Sequence, residues 1–419
     1  MSCVLETHRD GTHSGIARGT ISVALGIAVA NSTTAVGFLV LARFTDAPQL
    51  GSFGAAYAFS TFAASIMDFG SSQAATRRMA AARDLAGFWA WWSRRTALSV
   101  VALPLVWAAI HNLWGKHLSA LTSGMLSLQA VTLVAALGSL SVVRSLRSPV
   151  VASWLTAAGN VLFLVMCINP FGSRLDSAAI GAAASWLLTC IAALACVPRH
   201  LGSGQRPKRR NPWSGASGFG VLSLSLNAQL LVVPIVSVLA TVTAAGELAA
   251  VNRWVQPIML IPLAYSTLMF PQFARRESFR EVDLDLRRGR RLLVLSGVAV
   301  LLTVVLAPIA VPALVGQRYR SAVPVLQWLA IAVTPSLVGQ PLAIALQARG
   351  DGRRVATVGI ASAIVTIGVT AAVASSFGAS SGPLAIGLGN LTFAVLLARR
   401  FARQAQHELR GHSADQSTT

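Results

Sequence analysis

The sequence predicts an all-α polytopic membrane protein: about twelve transmembrane helices in two six-helix lobes, related by a pseudo-two-fold axis along the membrane normal. Three observations carry this. Of the 419 residues, 54% are hydrophobic and only 11% are charged, against roughly a quarter charged in soluble domains; a soluble chain of this length has too little interior to hide so much apolar surface. The apolar residues fall in runs of about twenty, the length that crosses a hydrocarbon core of roughly 30 Å. The lysines and arginines sit almost entirely in alternate connections between those runs.

The runs fall at 17–42, 51–70, 95–113, 119–141, 149–169 and 178–197, then at 217–242, 247–272, 292–314, 321–347, 355–376 and 382–399. The expected organisation is a cytoplasmic leader (1–16), an N-lobe (17–197), a basic linker (198–216), a C-lobe (217–399) and a cytoplasmic tail (400–419). The first run is too long for a signal-peptide core and is followed by further helices, so it reads as a membrane helix.

With the N-terminus inside, 28 of the 34 basic residues fall in inside loops. Five fall outside: Arg43, Lys116, Arg174, Arg318 and Arg320. Arg253 alone lies within a predicted helix. Such a bias supports both the helix count and cytoplasmic termini. It also explains the net charge of +20 as a topological signal, so no nucleic-acid partner is expected. The stretch from Met79 to Arg95 places Trp89, Trp91 and Trp92 between arginines and is expected to lie along the headgroups. The stretch from Arg275 to Arg291 is expected to be a solvated helix or loop. Four cysteines without CxxC spacing imply neither a disulfide framework nor a zinc site, and no cofactor or metal is expected.

The halves are faintly repeated. A shift of 198 residues carries Arg77-Arg78 onto Arg275-Arg276, Leu50 onto Leu248 and Ala47 onto Ala245, and brings Asn31 near Asn227 and Gln229. Six helices per half make the repeat parallel, with a substrate cavity expected between the lobes.

Three motifs carry a family resemblance. Leu50-Gly-Ser-Phe-Gly-Ala-Ala-Tyr57 leads through Met67-Asp-Phe-Gly70 to Arg77-Arg78; Trp254-Val-Gln-Pro257 leads to Phe270-Pro-Gln-Phe273; Gly316-Gln-Arg-Tyr319 precedes Ala322. The chain resembles the Wzx-type polysaccharide flippases (O-antigen and exopolysaccharide exporters) of the multidrug/oligosaccharidyl-lipid/polysaccharide superfamily. The resemblance implies a non-enzymatic flippase of the bacterial inner membrane. It would carry an undecaprenyl-diphosphate-linked oligosaccharide across by alternating access, for surface polysaccharide synthesis. Membrane lipids are implied partners; a polysaccharide polymerase with its chain-length machinery, and a coupling ion, stay open.

Moving a diphosphate and a sugar through hydrocarbon requires cations for the one and hydrogen-bonding groups for the other. Arg253 is the sharpest candidate, as a substrate contact or a snorkelling residue. Arg18, at the mouth of the first helix, either receives the diphosphate or anchors topology. Arg43, at that helix's outer end, either holds the headgroup or anchors the interface. Asn31, Asn227 and Gln229 either bond sugar hydroxyls or join helices. Asn252 and Gln256 flank Arg253. Asp68 is expected to pair with Arg77 or Arg78. Prolines 257, 262, 271, 324, 335 and 341 either hinge the helices or merely kink them.

Two rival readings fit the residues less well. A cation-coupled multidrug exporter of the same superfamily needs carboxylates in its cavity, and the acids of the first eight helices lie at helix ends or in loops. An O-antigen ligase or polymerase needs a large outer loop, and none is predicted.

Overall fold

The computed structural model describes residues 12–82, 85–146, 148–197, 213, 216–259, 262, 269, 273, 278–288 and 290–416. All regular structure among them is helical. The N-lobe comprises α1 (Thr12–Phe44), α2 (Ala47–Asp68), α3 (Ser71–Ala82), α4 (Leu85–Trp114), α5 (Ala120–Leu146), α6 (Pro149–Ile168) and α7 (Arg174–Ala195). The C-lobe comprises α8 (Ser217–Asn227), α9 (Val232–Leu239), α10 (Val242–Asn252), α11 (Phe279–Arg288), α12 (Arg290–Leu314), α13 (Ala322–Ala332), α14 (Thr334–Ala348), α15 (Gly352–Phe377) and α16 (Ser381–Gln416).

Ten stretches among the described residues are long and apolar enough to span. The last, Gly352–Gln406, is two helices, α15 and α16, separated by a 3-10 turn at Gly378–Ser380. The predicted eighth span, 247–272, is described only in part. The chain is therefore a multi-pass membrane protein, and the apolar surface it presents agrees. Leu105 on α4 is 75% exposed and Ile309 on α12 is 70% exposed, a disposition that suits a lipid surround.

Local sequence sets the helix starts. Asp46 caps α2 by accepting from the Gln49 amide at 2.8 Å, and Pro48 occupies the first turn. Ser148 with Pro149 begins α6, and Ser173 begins α7, each through a side-chain oxygen on a first-turn amide. At its other end α2 stops in left-handed backbone, at Phe69 (φ 39°) and Gly70 (φ 67°). The chain there turns directly into α3.

α2 and α10 cross at small residues. A Cβ on Gly51 would overlap the Val242 carbonyl, and one on Gly246 would overlap that of Ala47. Ala47 thus meets the neighbour of its own repeat image, Ala245, as a contact close to a two-fold axis must. Leu50 and its image Leu248 are both fully buried beside this crossing.

The far end of the bundle, where α1 ends and α2 begins, carries more inter-lobe bonds. Arg43 Nη1 donates to the Ala313 carbonyl at 2.9 Å, and Trp114 Nε1 to Ser237 Oγ at 2.9 Å. Arg318 donates to the carbonyls of Ala42 and Arg43, satisfying two groups that the end of α1 leaves open. Arg174 stacks over Phe44, 3.8 Å from its ring centre. Arg43, Arg174 and Arg318, predicted to share one side, therefore meet at one end. At the opposite, basic end the lobes touch again: Gly70 packs on Phe219 and Gly220, and Trp213 Nε1 donates to the Met67 carbonyl at 3.3 Å.

Two expectations are corrected here. The third span was predicted to begin at residue 95, but α4 begins at Leu85, so Arg95 is a helix residue too. The aromatic stretch before it is the start of α4 and packs partly into the protein, with Trp89 left exposed. Phe88 and Trp91 are buried with Ala75, Met79 and Val142, and Trp92 donates to the Ala135 carbonyl at 3.0 Å. The later basic stretch does form a helix, α11, with Phe279 and Val282 buried against Phe401 and Leu346. Its predicted double arginine, Arg275-Arg276, lies outside the described residues.

Candidate functional site

Prolines position the site. Pro257 has no amide hydrogen to give the carbonyl of Arg253, four residues back, and its ring crowds that carbonyl. The helix answers with a 3-10 turn at Arg253–Val255. Pro234 does the same to Leu230, and a 3-10 turn covers Ala228–Leu231 between α8 and α9. Both irregular turns face one cavity, lined by Phe38, Gly54 and Ala58 of the N-lobe and by Leu230, Val233, Ala249, Asn252 and Arg253 of the C-lobe. Irregular backbone at membrane depth is tolerated where it lines such a space.

The cavity is narrow, about 20 Å³, room for about one water. Arg253 is its cation. Its guanidinium carbon lies 5.2 Å from the Phe38 ring centre and 5.4 Å from that of Tyr57, close enough for cation–π attraction. Those rings are fixed in an aromatic cluster: Phe38 and Tyr57 meet edge-on at 5.3 Å, with Phe53 and Phe163 around them. Arg253 makes no ion pair or hydrogen bond among the described residues. No acid lines the cavity.

The candidates predicted from sequence separate into three groups. Asn252 shares the cavity with Arg253, and Gln256 lies one turn on with its Oε1 buried and unpartnered. Asn31 is half-buried on α1, two turns from Phe38 on the same helical face, and makes no hydrogen bond among the described residues. The second group is committed to structure. Asn227 donates to the Ser223 carbonyl at 3.0 Å in its own helix. Gln229 donates to Asn390 Oδ1 at 2.9 Å, and Asn390 in turn donates to the Ala332 carbonyl at 3.0 Å. Arg43 belongs to the far-end contacts. The third group is Arg18, whose side chain lies outside the described residues.

Sequence reasoning missed three things. Phe38 and Tyr57 lie under Arg253; only their apolar helical positions are visible in the chain. Arg95 is the other omission. It is fully buried and pairs with Asp68 at 2.6 Å, so the expected pairing of Asp68 with Arg77 or Arg78 is corrected. Ser71 and Ser72 also bond this pair, and Arg95 Nη2 donates to the Val134 carbonyl. Gly138 leaves room for the guanidinium: a Cβ there would stand 2.6 Å from Nη2.

No protein-family model matches the sequence, and no curated protein matches it significantly. Solved structures do match. An inward-facing MATE-family multidrug resistance transporter of the MOP superfamily aligns with a TM-score of 0.70 at 13% identity, over 92% of this chain and 98% of that one. The lipid II flippase MurJ, in an inward closed conformation, aligns with a TM-score of 0.72 at 12% identity, over 93% and 91%. A MOP-superfamily transporter from Pyrococcus furiosus, described by a binding pocket of reversed polarity, aligns with a TM-score of 0.63 at 15% identity, over 93% and 95%. The chain has the two-lobe fold of the MOP-superfamily transporters. That fold serves both a multidrug transporter and a lipid II flippase, so substrate must be argued from the site.

Proposed function

We propose that this protein is a flippase of the bacterial inner membrane, translocating an undecaprenyl-diphosphate-linked oligosaccharide for surface polysaccharide synthesis, with its basic end in the cytoplasm. One observation carries the reading: Arg253 is a cation at the lobe boundary, held over two aromatic rings, with no anion among the described residues to neutralise it. A cation in that setting is costly without a counter-charge, and a phosphate offers one in the planar, paired geometry that guanidinium prefers. Asn252, Gln256 and Asn31 supply neutral hydrogen-bonding groups for a sugar. The far-end contacts around Gly51, Gly246 and Arg43 part when the cavity opens outward. The contact of Gly70 with Gly220 parts when it opens inward. No covalent bond is made or broken.

A multidrug exporter that binds organic cations would need a free carboxylate in the cavity. Asp68 is buried but committed to Arg95, which argues against that alternative.

The test uses purified protein in detergent, with thermal stability as the readout. An undecaprenyl-diphosphate oligosaccharide is expected to raise the unfolding midpoint of the wild type, to raise that of Arg253→Lys less, since lysine keeps the charge but not the paired geometry, and to leave Arg253→Gln unchanged. Stabilisation by lipophilic organic cations, with no response to the diphosphate lipid, would overturn the reading.

A further inference from the structure

A second basic cavity lies at the other extreme of the C-lobe, remote from Arg253. It has a volume of about 680 Å³, and its lining includes Phe279, Arg354, Arg400, Arg403, Gln404 and Glu408. That volume falls within the roughly 300–1,000 Å³ range of small-molecule sites. Three helices build it. α16 contributes Arg400, Arg403 and Gln404, which share one face by their spacing of three and four. The first turn of α15 supplies Arg354. The start of α11 closes one side.

The carboxylates nearby are already used. Asp351 Oδ2 accepts from Arg400 Nε at 2.8 Å and from Gln404 Nε2 at 3.1 Å. Glu408 accepts from Arg349 at 3.1 Å with one oxygen and from the Phe279 amide at 2.7 Å with the other. The cations are less fully used. Arg400 and Arg354 each reach Asp351 through Nε, Arg354 only at 3.6 Å, and among the described residues their terminal amino groups have no other acceptor. Arg403 is exposed and pairs with no acid among the described residues. Among the described residues, three guanidinium groups thus border one cavity with a single, committed carboxylate on its wall.

We propose that this cavity is a binding site for a phosphoryl group, separate from the inter-lobe site and independent of what crosses there. Paired donors from several arginines match the oxygens of phosphate. Two sources present that chemistry at a basic membrane face: the headgroup of an anionic lipid and a soluble diphosphate. Gln404, held by Asp351, fixes the face of α16 from which Arg400 and Arg403 extend.

Binding is to be measured on the full chain with two probes: inorganic pyrophosphate added to detergent-purified protein, and nanodiscs of phosphatidylglycerol compared with phosphatidylcholine. Arg403→Gln removes an exposed cation that pairs with no acid among the described residues, and so leaves the fold alone. Arg287→Gln removes a surface arginine from α11, whose partner is Asp283, and serves as the charge control. Arg403→Gln is expected to weaken binding by about tenfold or more, the scale of one charge-assisted hydrogen bond, and Arg287→Gln by less than about twofold, as a solvent-screened surface charge should. Binding of pyrophosphate identifies a soluble source; dependence on phosphatidylglycerol alone identifies the lipid. Binding of neither probe by the wild type, or equal binding by wild type and Arg403→Gln, overturns the proposal. Both results leave Arg253 untouched, so this site and the translocation reading fail separately.

Discussion

Arg95 and Asp68 meet inside the N-lobe with Nη1 2.6 Å from Oδ1, and both are buried. The pair ties α4 to the last residue of α2, immediately before the left-handed Phe69. Removing one member leaves the other charge buried and alone, a loss of about 3–5 kcal/mol in comparable sites. Asp68→Asn is therefore expected to lower the unfolding midpoint of purified protein sharply. The double variant Asp68→Leu with Arg95→Met, which removes both charges, is expected to recover most of the loss. A double variant no better than the single one would show that the charges themselves are not what matters.

Glycine substitutions separate crossing points from open helix. Gly246→Ala sets a methyl group against the Ala47 backbone, and overpacking of that kind costs about 1–3 kcal/mol. Gly124→Ala meets nothing within 4 Å on α5 and is expected to stabilise slightly, since alanine favours helix over glycine by up to ~1 kcal/mol. Opposite signs in thermal unfolding are the expected result.

The Gln229–Asn390 bond is a structural link between α16 and the turn after α8. Asn390→Leu strands the Gln229 amide and the Ala332 carbonyl together, for an expected cost of about 1–3 kcal/mol. Gln229→Leu leaves Asn390 its bond to Ala332 and is expected to cost less. A reversed order in chemical or thermal denaturation would argue that Gln229 serves the cavity instead.

Tyr319 gives a pH dependence at the far end. Burial pushes its phenol up to about 12, with the neighbouring Arg318 pulling the other way, and the hydroxyl donates to the Thr45 carbonyl at 3.4 Å. In the unfolded chain the phenol ionises near pH ~10. The stabilisation it adds is therefore complete below that point and fades as pH rises through about 12. Stability profiles of the wild type and Tyr319→Phe should converge across that alkaline window; parallel profiles would contradict the assignment.

The spanning helices were legible because each carries its own signal, some twenty apolar residues in a row. Arg253 was legible for a similar reason: it is a lone charge in an apolar segment. Arg95 was not, since it adjoins Arg94 and a run of tryptophans that read as a loop. Its burial depends on Asp68, 27 residues earlier, and a single sequence carries no distance between them. The partner of Gln229, 161 residues away, is hidden for the same reason. The bond from Asn227 to Ser223 is the reverse case, because residues four apart in a helix must be neighbours. The aromatic seat of Arg253 joins α1, α2 and a proline-induced turn, and only the folded chain brings those together.

α16 runs unbroken from Ser381 to Gln416, 36 residues, or about 54 Å of rod. A hydrocarbon core of about 30 Å accounts for little more than half of that. The remainder is a stiff lever fixed to one lobe, so a small rotation of that lobe is magnified into a long sweep at the tip. A probe attached there would follow the transport cycle like the needle of a gauge.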